Sequence, residues 1–135
     1  IKLVVLLRDP VDRVAAHYAE ARRKGLKLTL EEWIDREFTL LDHVGLLNHT
    51  SSTVAANSFS GSTEEDVAWY HYHTATLEGA LGRGMYEIQL RQWFQALRAV
   101  GRDPSDSVLI VRAEHLHKSP EEPYRQIVTF LGLST

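Results

Sequence analysis

The sequence contains no cysteine, which excludes structural disulfides and thiolate zinc sites but leaves the cellular compartment open. It also lacks any apolar run near the ~18 residues that a transmembrane helix needs. The net charge of -3 gives no overall positive field, so nonspecific nucleic-acid binding is disfavoured and any anion site must be local. With 44% apolar and 24% charged residues, the composition is that of an ordinary globular protein.

The 135 residues are the size of one domain, and the first segment predicts a strand followed at once by a helix. Lys2 to Leu7 is an apolar run without polar alternation, which is typical of a central strand covered on both faces in a parallel sheet. Asp9 and Pro10 suit the N-cap and the first position of a helix, which we expect to end at Gly25.

Capping signals and composition predict the next two segments. Thr29 and Glu32 form the capping box of a second helix, which continues through Glu37. From residue 48 to residue 63 the chain is rich in Ser, Thr, Asn, Ala and Gly without periodicity, which indicates a long surface loop. Asn48 begins an acceptor sequon for N-glycosylation in this loop, a pattern that also arises by chance.

The second half of the chain predicts further helices and one more strand. Helices are expected from residue 64 to residue 81 and again from Tyr86, and an apolar strand over residues 107–111. Ser119 and the proline after it predict the N-terminus of a last helix. The order of strand, helices, strand and helix predicts an α/β layered domain with a parallel sheet.

The end of the first strand is the candidate binding site. Ligands of parallel sheets collect at the carboxyl ends of strands, where helix N-termini offer unpaired N–H groups. Arg8 lies at such an end and Arg13 lies one helical turn into the next helix, an arrangement that suits a phosphate monoester. The alternative is that both arginines only pair with Asp9, Asp12 or other surface carboxylates.

Two pairs of histidines raise the question of a metal site. His71 and His73 point to nearly opposite sides of a helix, so shared ligation is not expected. His115 and His117 have no third ligand nearby in sequence. We therefore expect surface or capping histidines and no metal.

Three segments carry motifs in order along the chain. Lys2 to Tyr18 contains a strand, Arg-Asp-Pro-x-Asp-Arg and a helix with Tyr18; Gly84 to Trp93 fits Gly-x-Tyr-x-x-x-Leu-x-x-Trp. Val108 to Leu133 contains a strand, Glu114 and Leu116 in a Glu-x-Leu pattern, a proline-started helix and a terminal Phe-Leu-Gly-Leu. Together they resemble the sulfotransferases that use 3′-phosphoadenosine 5′-phosphosulfate (PAPS), especially the Golgi heparan sulfate group.

The resemblance implies a P-loop-NTPase-like α/β fold with a parallel sheet flanked by helices. It implies transfer of a sulfuryl group from PAPS to a hydroxyl or amine of a carbohydrate, or to a protein tyrosine, without a metal. Arg8, Arg13 and the position of Ala16 would bind the 3′-phosphate of PAPS. The family has a serine where this chain has Ala16, which removes a hydroxyl donor to the phosphate.

The resemblance also implies that residues 1–135 are part of a sulfotransferase domain. The family's glycine-rich phosphosulfate loop, its lysine and its catalytic base would precede Ile1, so the catalytic residues are unknown and the chain is not expected to turn over alone. A Golgi-luminal protein with a membrane anchor outside this chain is suggested, or a cytoplasmic one if the source is bacterial. Oligomeric state is not indicated.

The acceptor is the least specified part of the prediction. Residues 48 to 81 correspond to a variable region of the family that can border the acceptor cleft. Trp69, Tyr70 and Tyr72 would either stack on sugar rings there or, as is more common, belong to the core. Two other functions stay open: a binding module of the same fold that has lost donor affinity, for which Ala16 argues, and a nucleotide kinase of related α/β fold.

Overall fold

The computed structural model describes residues 1–47, 61–76 and 79–133, which form two compact units. The sheet unit consists of Ile1–Asp9 and Leu90–Thr135, and the helical unit of Pro10–Gln89. The elements in chain order are β1 (Leu3–Leu7), α1 (Pro10–Arg23), α2 (Leu30–His43), α3 (Thr63–Ala75), a 3-10 turn (Gly82–Gly84), α4 (Tyr86–Ala99), α5 (Pro104–Ser107), β2 (Val108–Arg112), α6 (Ala113–Lys118) and α7 (Glu121–Leu131).

The sheet unit is built on the pairing of β1 with β2. The two strands are parallel, in a register that places Leu3 opposite Val108 and Leu7 opposite Arg112. The α/β class and the parallel pairing are confirmed. The predicted cover on both faces is wrong for the described residues, because Val4 is 38% and Leu6 52% exposed. A strand's apolar composition does not say how many neighbours it has, and β1 has one strand neighbour in the described chain.

Three helices from the last third of the chain, α5, α6 and α7, contact β2. Val108 and Val111 of β2 are buried, and so is Val128 of α7. Lys2 donates a hydrogen bond to the carbonyl of Phe130 and lies 5.0 Å from the centroid of its ring. These contacts attach the start of the chain to its last helix.

The helical unit has a core formed by α2, α3 and the start of α4. Its buried members are Leu41, Leu46, Ala68, Trp69, Tyr72 and Ile88. The Thr29–Glu32 capping box is confirmed, with the Glu32 N–H 3.2 Å from the Thr29 hydroxyl and the reciprocal bond at 2.7 Å. Gly25 follows α1 with a φ of +102°, as expected of a glycine that ends a helix.

Two predicted boundaries differ from the structure. The helix expected from residue 64 to 81 ends at Ala75, whereas the separate helix expected from Tyr86 is confirmed as α4. Ser119 is not the N-cap of α7: its N–H bonds the His115 carbonyl at 2.9 Å, so it ends α6 instead. That short helix was not predicted from the sequence. Most of the loop predicted over residues 48–63, including the Asn48 sequon, lies outside the described residues.

Candidate functional site

Arg8 is located at the carboxyl edge of the two-stranded sheet. It follows β1 directly, and the register of the strands puts Leu7 opposite Arg112, so both strands end at the same level. Arg8 and Arg112 are both exposed there. The sheet unit therefore has two cationic side chains at the edge where parallel sheets collect ligands.

Glu114 fixes the backbone beside Arg8. Its Oε1 accepts a hydrogen bond of 2.7 Å from the N–H of Asp9, and its Oε2 lies 4.0 Å from Nε of Arg112. The hydrogen bond from Asp9 holds the pKa of Glu114 below its ordinary value. Sequence reasoning had placed Glu114 in a motif without a role. The structure shows that this carboxylate ties the end of β1 to the segment after β2.

Arg13 and Ala16 belong to the helical unit, on one face of α1. The Arg13 guanidinium is half-buried and donates a hydrogen bond to the carbonyl of Ala80. Its Nε is covered from solvent and has no hydrogen-bond partner among the residues described, and burial lowers the pKa of the group. Ala16 is exposed and offers only a methyl group. The alternative expected from sequence, an Arg13 paired with a surface carboxylate, is not what the described residues show.

Glu37 is the buried polar centre of the helical unit. Only 7% of the residue is exposed, yet its carboxylate accepts hydrogen bonds from the N–H groups of Ala80, Leu81 and Gly82. It also accepts one from the Tyr72 hydroxyl. A buried carboxylate is tolerated only when its oxygens are satisfied in this way. Sequence reasoning missed it, although a glutamate between Ile34 and Leu41 on an amphipathic helix was a usable signal.

Tyr72 completes this centre. It is 2% exposed, its oxygen accepts a hydrogen bond of 3.0 Å from the Gly82 N–H, and burial raises the pKa of its hydroxyl. A Cβ on Gly79 would lie 2.9 Å from Glu37 Oε1, and a Cβ on Gly82 would lie 2.6 Å from Tyr72 Cζ. The glycines are thus required by close approach of the turn to these two side chains.

The aromatic cluster on α3 is mainly core. Trp69 and Tyr72 are buried and stacked on each other, with ring centroids 5.4 Å apart, while Tyr70 is exposed. Of the three aromatics weighed for sugar stacking, Tyr70 is the one with an accessible ring. The core interpretation is therefore confirmed for Trp69 and Tyr72.

The histidines make local contacts. His73 stacks on Trp69 with centroids 6.2 Å apart, and His117 Nδ1 lies 2.7 Å from the Ala113 carbonyl within α6. Among residues 1–47, 61–76 and 79–133, no three His, Cys, Asp or Glu side chains are grouped as a metal would require. No helix in that same part of the chain is both long and apolar enough to cross a membrane.

These features define an α/β domain with cationic side chains at the carboxyl edge of a parallel sheet. The family model described as Sulfotransferase domain matches residues 1–135, and the chain belongs to that family. No curated protein and no solved structure matches the chain. Membership supports a transferase that moves sulfuryl groups, and favours this function over the nucleotide kinase alternative.

Proposed function

We propose that this chain binds the donor PAPS in a sulfotransferase reaction, with Arg8 recognising the 3′-phosphate of the nucleotide. The observation that carries the proposal is the placement of Arg8: exposed, immediately after a parallel strand, beside a backbone N–H that Glu114 holds. Family membership supplies the sulfuryl chemistry.

Recognition would rest on charge. A phosphate monoester is close to a dianion at neutral pH, and a guanidinium can give it two parallel N–H donors. Anchoring of the Asp9 N–H by Glu114 limits the backbone freedom next to Arg8, so less entropy is lost when the phosphate is bound. A nucleotide without a 3′-phosphate would leave this interaction unmade.

From the motif resemblance, Arg13 is proposed as a second cation for the 3′-phosphate, and Ala16 as the position at which the family has a serine. Arg13 gives one N–H to Ala80 and has four others, since a guanidinium carries five. Ala16 contributes no donor, and the loss relative to a hydroxyl is ~1.5–3 kcal/mol for a bond to a charged group. Weaker donor binding than in a serine-containing relative is therefore part of the proposal.

PAPS would supply a sulfuryl group whose bond to the 5′-phosphate oxygen breaks as a bond to the acceptor oxygen or nitrogen forms. None of the residues named here is assigned to removal of the acceptor proton. A carbohydrate or tyrosine acceptor and a Golgi-luminal location are proposed from the motif resemblance alone. Ala16 favours one alternative, a binding module of the same fold without donor affinity.

Calorimetry with adenosine 3′,5′-bisphosphate and with AMP tests the proposal. The bisphosphate is expected to bind more tightly, and Arg8→Ala should remove the difference, a loss of roughly 10- to 100-fold for charge-assisted hydrogen bonds. Arg125→Ala is the matched control, because Arg125 is an exposed arginine of the sheet unit that pairs with Glu122 at 3.4 Å. Equal binding of the two nucleotides contradicts the 3′-phosphate site, and binding of neither supports the binding-module alternative.

A further inference from the structure

The sheet unit contains a cleft that is not lined by Arg8, Arg13 or Ala16. Residues of β2, α6 and α7 line it, together with Ser119 between the two helices, and its volume is about 380 Å³. Small-molecule sites in proteins occupy roughly 300–1,000 Å³, so the cleft has room for a ligand the size of a phosphorylated sugar. All of its lining residues belong to the sheet unit, so the site is formed within one compact unit.

The lining of this cleft carries three basic side chains, Arg112, His115 and Lys118, and each of these residues is exposed. Nε of Arg112 lies 4.0 Å from Oε2 of Glu114, which is too long for a hydrogen bond. Within the part of the chain that the structure describes, neither His115 nor Lys118 forms an ion pair with an acidic side chain. These side chains can therefore donate to an anionic ligand.

Glu122 is the acidic member of the lining, and its carboxylate is bonded within α7. Its Oε1 accepts a hydrogen bond of 3.1 Å from Gln126, and its Oε2 lies 3.4 Å from Nη1 of Arg125. Two cations, Arg112 and Lys118, against this one carboxylate leave the lining at +1 before the histidine is counted. The cleft is thus locally positive in a chain whose net charge is -3.

The other lining residues suit the organic part of a ligand. Ile110 of β2 is 42% exposed, next to Val111, which is buried, and the buried Pro123 of α7 also lines the cleft. Ligand sites commonly combine apolar surface of this kind with a few polar groups that fix the orientation of the ligand. Ser119 adds a hydroxyl that can donate or accept a hydrogen bond.

We propose that the cleft lined by β2, α6 and α7 is a further anion site of this protein, which binds a phosphate or sulfate ester of a sugar-sized molecule. Arg112 and Lys118 bind the anionic group, His115 and Ser119 donate hydrogen bonds to it, and Ile110 packs against the organic part. The site is separate from the donor site proposed above, and it does not require that the chain binds PAPS.

An NMR titration of the isotope-labelled chain with glucose 6-phosphate, glucose 6-sulfate and glucose tests this site. The phosphate is expected to bind with a dissociation constant of about 1 mM and to shift the backbone amide signals of His115, Lys118 and Ser119. Tighter binding of the phosphate identifies a dianionic ester as the ligand, and equal or tighter binding of the sulfate identifies a sulfate ester. Absence of saturable shifts with both esters, or equal shifts with glucose, refutes the site.

Substitutions distinguish a local site from the general effect of charge. Arg112→Ala and Lys118→Ala should each weaken binding of glucose 6-phosphate roughly five- to tenfold, and Glu122→Gln should strengthen it about twofold. Arg98→Ala is the matched control, because Arg98 is an exposed arginine of α4 in the sheet unit that does not line the cleft. It should change the affinity by less than about twofold. Equal weakening by Arg98→Ala and Arg112→Ala would refute the site.

Two more variants test the apolar contact and the separation from the donor site. Ile110→Ala should weaken binding of glucose 6-phosphate about two- to threefold and leave binding of inorganic phosphate unchanged; an equal effect on both contradicts the packing of the organic part on Ile110. Arg8→Ala should remove the preference for adenosine 3′,5′-bisphosphate without changing the glucose 6-phosphate titration. If Arg8→Ala abolishes both, the two sites are one and this inference is refuted. If the chain binds glucose 6-phosphate but does not prefer the bisphosphate, only the donor function fails.

Discussion

Replacement of Gly82 by alanine is expected to destabilise the helical unit strongly, because the added methyl group has no space. The φ of Gly82 is not positive, so backbone strain does not enter the argument. A Cβ here would lie 2.6 Å from Cζ of Tyr72, about 1 Å inside the usual carbon–carbon contact distance. Tyr72 cannot easily move, because its ring stacks on Trp69 and its hydroxyl bonds Glu37.

The expected loss in the free energy of unfolding is roughly 3 kcal/mol, the upper end of the usual cost of overpacking a core. Urea unfolding followed by circular dichroism should show a lower midpoint with an unchanged slope. The melting temperature should fall by roughly 10 °C for a chain of this size.

Gly84→Ala is the control from the same 3-10 turn. Its Cβ would lie 3.1 Å from the Cβ of Pro10, an overlap that a small shift relieves, so the change should stay within about 1 kcal/mol. Equal stability of the Gly82 and Gly84 variants would refute the packing of Tyr72 against the turn. It would also contradict the conclusion that Gly79 and Gly82 must be glycine because the side chains of Glu37 and Tyr72 approach them closely.

Two further predictions concern single contacts. Thr29→Ala removes the capping box of α2 and should lower the free energy of unfolding in urea by about 1 kcal/mol. Thr39→Ala loses only a bond to the Asp35 carbonyl inside the helix and should lower it clearly less. Equal losses in the two variants would argue against the cap. Because the Asp9 N–H depresses the pKa of Glu114 below 4.5, this contact contributes stability above that pH and loses it as the pH falls through the folded-state pKa. The urea midpoint should therefore fall less in Glu114→Gln than in the wild type between about pH 6 and about pH 3. The control Glu121→Gln should fall as the wild type does. Identical pH profiles for the wild type and Glu114→Gln would contradict the role of the contact.

Features that depend on neighbours in sequence were predictable. The capping box of Thr29 and Glu32, and the glycine at position 25 that follows the end of α1, depend on residues within one or two helical turns. The parallel pairing of β1 and β2 followed from two apolar runs separated by helices. The position of Arg8 at the carboxyl end of β1 followed from the strand itself.

Features that depend on distant partners were not predictable. The donors to Glu37 lie 35 to 45 residues further along the chain. Most of them are backbone N–H groups, which do not depend on residue type and so cannot be identified from the sequence. The bond from Arg13 to Ala80 spans 67 residues and also ends on the backbone. The predicted N-cap at Ser119 failed because a serine before a proline can end one helix as well as begin another.

The hydrogen bond between Asp9 and Glu114 joins residues that are 105 positions apart, and the helical unit is inserted between the two parts of the sheet unit. During synthesis at ~5–20 residues per second, β1 therefore waits roughly 5–20 s for its partner strand to leave the ribosome. In that interval residues 10–89 already have every partner of their own core, so they can fold first. The nascent β1, an apolar segment without its parallel neighbour, is where chaperone binding during translation would matter most.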